Sequence, residues 1–371
     1  WGGGVFPSPR HRHKVAPALA RWLAAPSPSL ASTSDAAFSG DWAIIERDIE
    51  PEEFERLRCF REAVSGADAH AACAKTPFSR DPLLLLRVLR SFEQNVDEAA
   101  KWFAGEWFDF RVSMRMDERV ASWRAEFAEG RSRRAIMMKR YFPVEQLSLD
   151  KYGVPIFIFR LGVADIGGLV REVGVEPLQL YYADMMERVG SPGGHLTQAS
   201  RSCGFFVPGQ VLICDCGDYP KQVPDWYARM WNGTPKLADA LKTITYPNVA
   251  RSMYVIRTGF KTRCLYNVFV PVLHLACNPS TLRMVKLFGT QASEWRVQLQ
   301  DELPKDGELP AFLGSDSEEA FAAARPLGGV VPCAENDMEE GTTVPDDSDS
   351  FTSDCHPELE AEEWLFLYTS I

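Results

Sequence analysis

The sequence contains the segment Cys264-Leu-Tyr-Asn-Val-Phe-Val-Pro-Val-Leu-His-Leu-Ala-Cys277, in which only Asn267 and His274 are clearly polar. Pro271 lies inside it, and a fully buried strand does not accept a proline there. The segment is also shorter than the roughly 20 apolar residues that a membrane span needs. The pattern predicts a helix, kinked at Pro271, with one face on a protein core and the other on an apolar ligand or lipid. An ordinary core helix is the alternative.

Two apolar runs flank this segment. The first, Met253–Ile256, follows the turn Tyr246-Pro247 and has the branched and aromatic residues typical of a buried strand. The second ends at Leu287-Phe288-Gly289, after a break at Asn278–Thr281. The region therefore predicts a turn, a strand, a kinked helix and a second strand.

The preceding residues predict an α/β lobe. A turn, Asp150-Lys-Tyr-Gly-Val-Pro155, leads into the apolar run Ile156–Phe159. The pattern predicts a helix over Glu176–Val189 and a strand that ends at Asp215-Cys-Gly217.

Residues 41–128 predict helices. Pro51-Glu-Glu places a proline and acids in a first helical turn, where both are favoured. Asp81-Pro82 begins a second helix, and Asn95-Val-Asp-Glu98 has the spacing of a capping box.

The order of these motifs over residues 80–314 resembles the CRAL-TRIO lipid-binding domain, which a small helical domain precedes. That family includes phosphatidylinositol/phosphatidylcholine transfer proteins and carriers of tocopherol and retinaldehyde. The matching motifs are Leu85-Leu-Arg-Val-Leu-Arg90, Tyr246-Pro247, Pro271-Val-Leu273 and Leu309-Pro-Ala-Phe-Leu-Gly314. The resemblance implies an α/β fold: an N-terminal helical bundle, then a lobe with a mixed β-sheet floor and a gating helix over an apolar pocket.

The resemblance also implies which residues contact lipid, and a bound lipid is the only ligand or cofactor expected. The pocket floor is predicted to consist of Phe157, Phe159, Leu212, Cys214, Tyr254 and Ile256. The gate and its approach are predicted to contribute Phe260, Leu265, Phe269, Val272 and Leu273.

The headgroup positions depart from the family. Where phosphoinositide-binding members have a Glu after the Tyr-Pro turn and a Lys in the last strand, this chain has Asn248 and Met284. Thr281 is retained, and Arg283 and Lys286 flank the missing Lys. The departures further include Phe92-Glu93 in place of an Arg-Lys pair, Gln210 and Leu212 in place of a Ser and a Thr that hold phosphatidylcholine, and Gly259 in place of a Pro. Because charge-assisted bonds to phosphate are the strong ones, we expect weak or absent phosphatidylinositol binding.

The charge of −11 is concentrated at the end of the chain. Twelve acidic residues lie from Glu335 onward, with no Lys or Arg, which leaves +1 for the rest. A nearly neutral body argues against nucleic acid as a partner. Residues 315–371 are predicted to form an acidic disordered tail, which either contacts a protein partner or has no role. A basic run, Arg131–Arg140, indicates either a solvated helix face or contact with anionic lipid headgroups.

Residues 1–40 are basic, Ser-containing and poor in acids, a composition typical of an organelle transit segment and also of a plain disordered tail. The predicted domains are therefore 1–40, a helical domain at 41–128, the lipid-binding lobe at 129–314, and the tail.

Nine scattered cysteines without a CxxC pair indicate reduced thiols, and hence the cytoplasm. The pair Cys214-x-Cys216 lacks further ligands nearby, so we expect no metal site. The sequence has neither a Gly-x-Ser-x-Gly motif nor a phosphate-cradling glycine loop, so we expect no catalytic residues. A monomeric lipid-binding or lipid-transfer protein, in transient contact with membrane surfaces, is the principal hypothesis. The alternative is a lipid-sensing or protein-interaction module whose acidic tail is regulatory.

Overall fold

The computed structural model of the protein describes residues 35–66, 71–174, 176–217, 246–259 and 283–304, together with Leu309 and Leu313. Over these ranges a helical region precedes a five-stranded sheet that mixes parallel and antiparallel pairs. The predicted α/β class, with a helical N-terminal region and a mixed sheet, is confirmed. The predicted boundaries at 128 and 314 stay predictions.

Helices make up most of the described chain from Asp35 to Tyr141. Its helices are α1 (Asp35–Asp48), α2 (Pro51–Ser65), α3 (Ala71–Ala74), α4 (Pro82–Ser91), α5 (Val96–Lys101), a π-helical segment (Trp102–Trp107), α6 (Phe108–Ser113), α7 (Met116–Glu129) and α8 (Arg133–Tyr141).

The helix starts predicted at Pro51, Pro82 and Asn95 are confirmed. The Asp81 carboxylate accepts bonds from the amides of Leu83 and Leu84 at 2.9 and 3.1 Å, which satisfies two donors of the first turn. Asn95 accepts one from Glu98 at 3.2 Å.

The sheet runs in the order β1-β2-β3-β4-β5. The pair β1–β2 is antiparallel and the later pairs are parallel. Helices α9, α10 and α11 connect β2 to β3, and α12 follows β5. The bounds are β1 (Val144–Leu149), β2 (Pro155–Phe159), α9 (Ile166–Val173), α10 (Glu176–Gly190), α11 (His195–Cys203), β3 (Gln210–Asp215), β4 (Ala250–Ile256), β5 (Val285–Leu287) and α12 (Ala292–Gln300).

The sheet separates two apolar clusters. Because successive strand residues point to opposite faces, one set of side chains packs with α10 and α11, and the other with α12. We call these the α10 face and the α12 face. The α10 face carries Phe157, Phe159, Leu212, Cys214, Met253 and Val255, and the α12 face carries Ile156, Ile158, Val211, Ile213, Tyr254 and Ile256. Strands β2, β3 and β4 are thus covered on both sides, as parallel strands usually are.

The turns after β2 and β3 touch each other through glycines. A Cβ at Gly162 would come within 1.3 Å of the Gly217 carbonyl oxygen, so no other residue fits without moving the backbone. Asp215 fixes the second turn, because its carboxylate accepts bonds from the Gly217 amide at 3.0 Å and the Arg257 Nε at 2.8 Å. Gly162 and Gly217 therefore form one packed edge at the carboxyl ends of β2 and β3.

The Glu187 carboxylate joins the helical region to the lobe. It accepts a bond from the Arg111 guanidinium of α6 and another, at 2.9 Å, from the hydroxyl of Tyr246 in the turn before β4. Arg111 also lies over the rings of Phe78 and Trp107, at 4.5 and 5.3 Å. We call this buried arrangement the Glu187 clasp.

Three side chains of the basic run bind other groups of the protein. Arg133 pairs with Glu172 and Arg134 with Glu126 and Glu176, while the Lys139 ammonium donates to a backbone carbonyl of α7. These contacts favour the solvated-face interpretation of Arg131–Arg140 over headgroup binding.

The clasp predicts a large loss of stability on Glu187→Ala. Removing Glu187 leaves the buried Arg111 guanidinium with the more exposed Asp117 as its ion-pair partner, so we expect the free energy of unfolding to fall by about 3 kcal/mol. Tyr246→Phe should cost about 1.5 kcal/mol, because it deletes one bond to a charged acceptor. Urea denaturation measures both. The control is Glu118→Ala, which removes the exposed pair with Arg115 and should cost less than about 1 kcal/mol. Equal losses at Glu187 and Glu118 would contradict the role of the clasp.

Candidate lipid-binding site

Four of the six predicted floor residues lie together. Phe157 pairs with Leu212, and Phe159 with Cys214, in the register of β2 and β3. Residues directly opposite each other on neighbouring strands share a face, and all four belong to the apolar cluster of the α10 face. They form two adjacent rows of apolar side chains across the sheet.

The other two predicted floor residues lie on the opposite face of the sheet. Tyr254 and Ile256 pack with α12, and Met253 and Val255 occupy their places on the α10 face, paired with Leu212 and Cys214. The physical reason is an irregularity in the β3–β4 register next to Gln210. A one-residue shift exchanges the faces of every following side chain, and both faces of β4 are apolar, so the sequence carries no signal for the shift.

Tyr254 has a structural role on the α12 face. Its hydroxyl donates to Glu302 and accepts from the Lys286 ammonium, both at 3.0 Å. Its ring stacks on Phe288 with 5.9 Å between centroids. Burial, the largest cause, raises the pKa of the Tyr254 hydroxyl, so the group stays neutral.

The apolar rows reach the half-buried strand β5. Val285 pairs with Met253 and Leu287 with Val255, so both residues extend the rows of the α10 face. Val285, Leu287 and the neighbouring Met284 are only half-buried. Their partners in β4, Met253 and Val255, are fully buried. The α10 face is therefore closed by protein over β2 to β4 and partly accessible at β5.

The headgroup positions have different surroundings. The Asn248 amide donates to the Arg87 carbonyl oxygen at 3.1 Å, so it connects the lobe to α4. Lys286 lies on the α12 face, where its ammonium donates to the Tyr254 hydroxyl. Arg283 is exposed, and Met284 packs against the cluster of the α10 face. Thr281 lies outside the described residues.

The predicted gate also lies outside the described residues. This applies to Phe260, Leu265, Phe269, Val272 and Leu273, and their assignment stays a prediction.

Cys214 and His195 are both neutral near pH 7. Burial raises the pKa of the Cys214 thiol to about 12, so it is not a reactive thiolate at neutral pH. Burial, with a contribution from Arg188, lowers the pKa of His195 to about 4. Over the described ranges no three His, Cys, Asp or Glu side chains are grouped as metal ligands, and no helix there is long and apolar enough to span a membrane.

Comparisons with known proteins identify distant relatives. No protein-family model matches the chain. It is 24% identical over 254 residues to the phosphatidylinositol/phosphatidylcholine transfer protein SFH14 of Arabidopsis thaliana, an alignment that covers 64% of this chain and 38% of that protein. It is 22% identical over 287 residues to the phosphatidylinositol/phosphatidylcholine transfer protein SFH9 of the same plant, covering 74% and 43%. The chain thus spans well under two thirds of the length of these relatives.

Among solved structures, the crystal structure of Sfh5 aligns with 74% of this chain and 96% of its own, at 9% identity and a TM-score of 0.37. That similarity is too slight to support a conclusion. The sequence is therefore similar, at a distance, to phosphatidylinositol/phosphatidylcholine transfer proteins, in agreement with the resemblance carried by its motifs.

Proposed function

We propose that the protein binds a hydrophobic lipid in an apolar pocket on the α10 face and transfers or presents it between membranes, without covalent chemistry. The observation that carries this proposal is the pair of apolar rows that run from buried β2 to half-buried β5. Half-buried apolar residues at the end of such rows offer a place for acyl chains to enter. The distant sequence relatives, named as lipid transfer proteins, support the same function.

The energetics define what such a pocket must supply. Each methylene removed from water contributes about 0.8 kcal/mol, so two chains of common length represent on the order of 20 kcal/mol. A carrier must supply a similar free energy of burial, because the acyl chains are already shielded from water in the bilayer. Side chains such as Phe157, Leu212 and Met253 are suited to this, since they bring no polar group that would need a partner.

The segment Cys264–Cys277 is the proposed gate over this pocket. It is the part of the chain between the parallel strands β4 and β5, and connections between parallel strands are almost always right-handed crossovers. In this sheet order such crossovers fall on the same face, which is the face that α10 and α11 already cover. The proposed gate would then lie over the half-buried rows at β5.

We further propose that the protein works as a cytoplasmic monomer in transient contact with membrane surfaces. A lipid-sensing or protein-interaction module with an acidic regulatory tail is the second candidate. One observation favours it: Asn248 and Lys286, at or beside the family's headgroup positions, have structural partners within the protein.

Phe269→Asp should abolish lipid loading, because a charge on the gate opposes burial of acyl chains. Native mass spectrometry of protein purified without detergent measures the bound lipid, and we expect less than about a tenth of the wild-type occupancy. The matched control is Val297→Asp on α12, where the side chain is 70% exposed and its loss should leave loading unchanged. Full occupancy in the Phe269 variant would argue against the gate.

Met284→Lys should increase phosphatidylinositol binding. It restores a cation at the family position, and a charge-assisted bond to phosphate contributes about 1.5–3 kcal/mol, or roughly ten-fold or more in affinity. The check is the ratio of phosphatidylinositol to phosphatidylcholine taken from mixed vesicles. We expect a low ratio in the wild type and a rise in the variant, with Met284→Gln as the uncharged control. Efficient phosphatidylinositol uptake by the wild type would contradict the predicted loss of inositol recognition.

A further inference from the structure

Arg87, in the middle of α4, has a buried guanidinium group. The side chain is 1% exposed, and none of its three guanidinium nitrogens has a hydrogen-bond partner in the described part of the chain. Its Cζ lies 5.7 Å from the centre of the Phe206 ring. A buried charged group without hydrogen-bond partners loses its hydration and gains no bonds in return. This lowers the stability of the folded state by several kcal/mol.

The two acids near Arg87 are already engaged elsewhere. Asp81 caps α4 with one oxygen and accepts from the Thr197 hydroxyl with the other, at 3.3 Å. Both oxygens of Asp41 accept from Arg201, at 2.8 and 2.7 Å. They attract Arg87 only through space. Burial lowers the pKa of Arg87 to about 10, so the guanidinium is still charged at neutral pH.

A second buried polar group lies at the same end of the sheet. Gln210, the first residue of β3, is 0% exposed, and neither its amide oxygen nor its amide nitrogen has a partner among the residues described. Alternation along β3 places it on the α10 face, in line with Leu212 and Cys214. Its backbone amide donates to the Val249 carbonyl at 2.7 Å, and the adjacent Asn248 donates to the carbonyl of Arg87. Gln210 and Arg87 therefore border the same junction.

A single anionic ligand group can accept hydrogen bonds from both side chains. The guanidinium offers five N–H donors in a planar fork that matches an oxyanion, and the amide adds a further donor. The remaining surface of the α10 face is apolar, so the ligand that fits is an amphiphile with a small anionic end. Binding requires the Gln210 and Phe206 side chains to change rotamer and make space for the ligand.

We propose that Arg87 and Gln210 bind the oxyanion of the lipid, and that the preferred lipid has a small anionic headgroup, a phosphate monoester or a carboxylate, without inositol or choline. The proposal rests on the proposed lipid-binding function and names its ligand class. It accounts for a chain that has Met284 and Asn248 at headgroup positions and yet buries an arginine whose guanidinium has no hydrogen-bond partner among the described residues.

The test offers the full chain mixed vesicles with equal amounts of phosphatidic acid, phosphatidylcholine and diacylglycerol that share the same acyl chains. After re-isolation, the bound lipids are quantified by mass spectrometry. We expect phosphatidic acid to be enriched at least ten-fold over diacylglycerol in the wild type. In Arg87→Met this enrichment should disappear, and in Gln210→Met it should fall several-fold.

The control is Arg90→Met. It removes the same charge from the same helix, but Arg90 is bound to Glu53 at 2.7 and 2.9 Å, so the lipid preference should be unchanged. Circular dichroism of each variant confirms folding. If Arg87→Met fails to fold, the comparison of Gln210→Met with the wild type still decides the question. Loaded lipid with no preference, or a preference that survives both substitutions, would overturn the anion site.

A second arm separates a lipid headgroup from a free anion. Inorganic phosphate alone is added to the protein and its melting temperature is followed. A rise in the wild type but not in Arg87→Met, without enrichment of phosphatidic acid, would support the anion site with free phosphate as its ligand. A protein that retains no lipid of any kind and does not respond to phosphate would overturn both the site and the proposed function, whereas retained lipid with no dependence on Arg87 would overturn only the site.

Discussion

The Glu187 carboxylate connects three parts of the chain that are far apart in sequence: α6, the end of α10 and the turn before β4. Gly190 allows this, because a Cβ there would come within 2.8 Å of the Tyr246 side chain. Since Tyr246 and Pro247 lead directly into β4, the clasp also fixes where that strand starts beside β3. Further buried polar contacts, Asp41 with Arg201 and Asp81 with Thr197, lie across the same boundary. The helical region is thus bound to the lobe by polar groups that are costly to separate.

Local structure was predictable because its signals are local. The caps at Asp81 and Asn95, the proline at Pro51 and the apolar run at Ile156–Phe159 each act within a few residues, and the structure agrees with them. The face of each residue of β4 was not predictable. It depends on the irregular pairing beside Gln210, which arises between two strands, and β4 has apolar residues on both faces. For the same reason the sequence did not show that Tyr254 and Leu212 lie on opposite faces of the sheet.

The two faces of the sheet differ in how their polar groups are used. On the α12 face Tyr254, Lys286 and Glu302 satisfy one another, and Trp295 and Phe288 pack beside them, so this face is a closed core. At the other end of the sheet Asn248 is bonded to α4. Arg87 and Gln210 differ from the hydrogen-bonded Asn248, Tyr254 and Lys286, because within the described ranges their side-chain polar atoms have no such bonds. A buried polar group without hydrogen bonds destabilises the fold more than an apolar residue of the same size would. Its presence therefore points to a functional role.

This division has a mechanical consequence. A lipid carrier must expose an apolar surface and cover it again without unfolding. The α12 face can stay packed throughout, and the Glu187 clasp holds the helical region in place at the other side. Val285 and Leu287 are half-buried, whereas their partners in β4 are fully buried. Uncovering this part of the sheet therefore costs the least free energy, because fewer buried contacts are lost there. Under the proposed function, the cost of opening would be confined to one edge strand, and acyl chains entering there would replace the apolar contacts that opening removes.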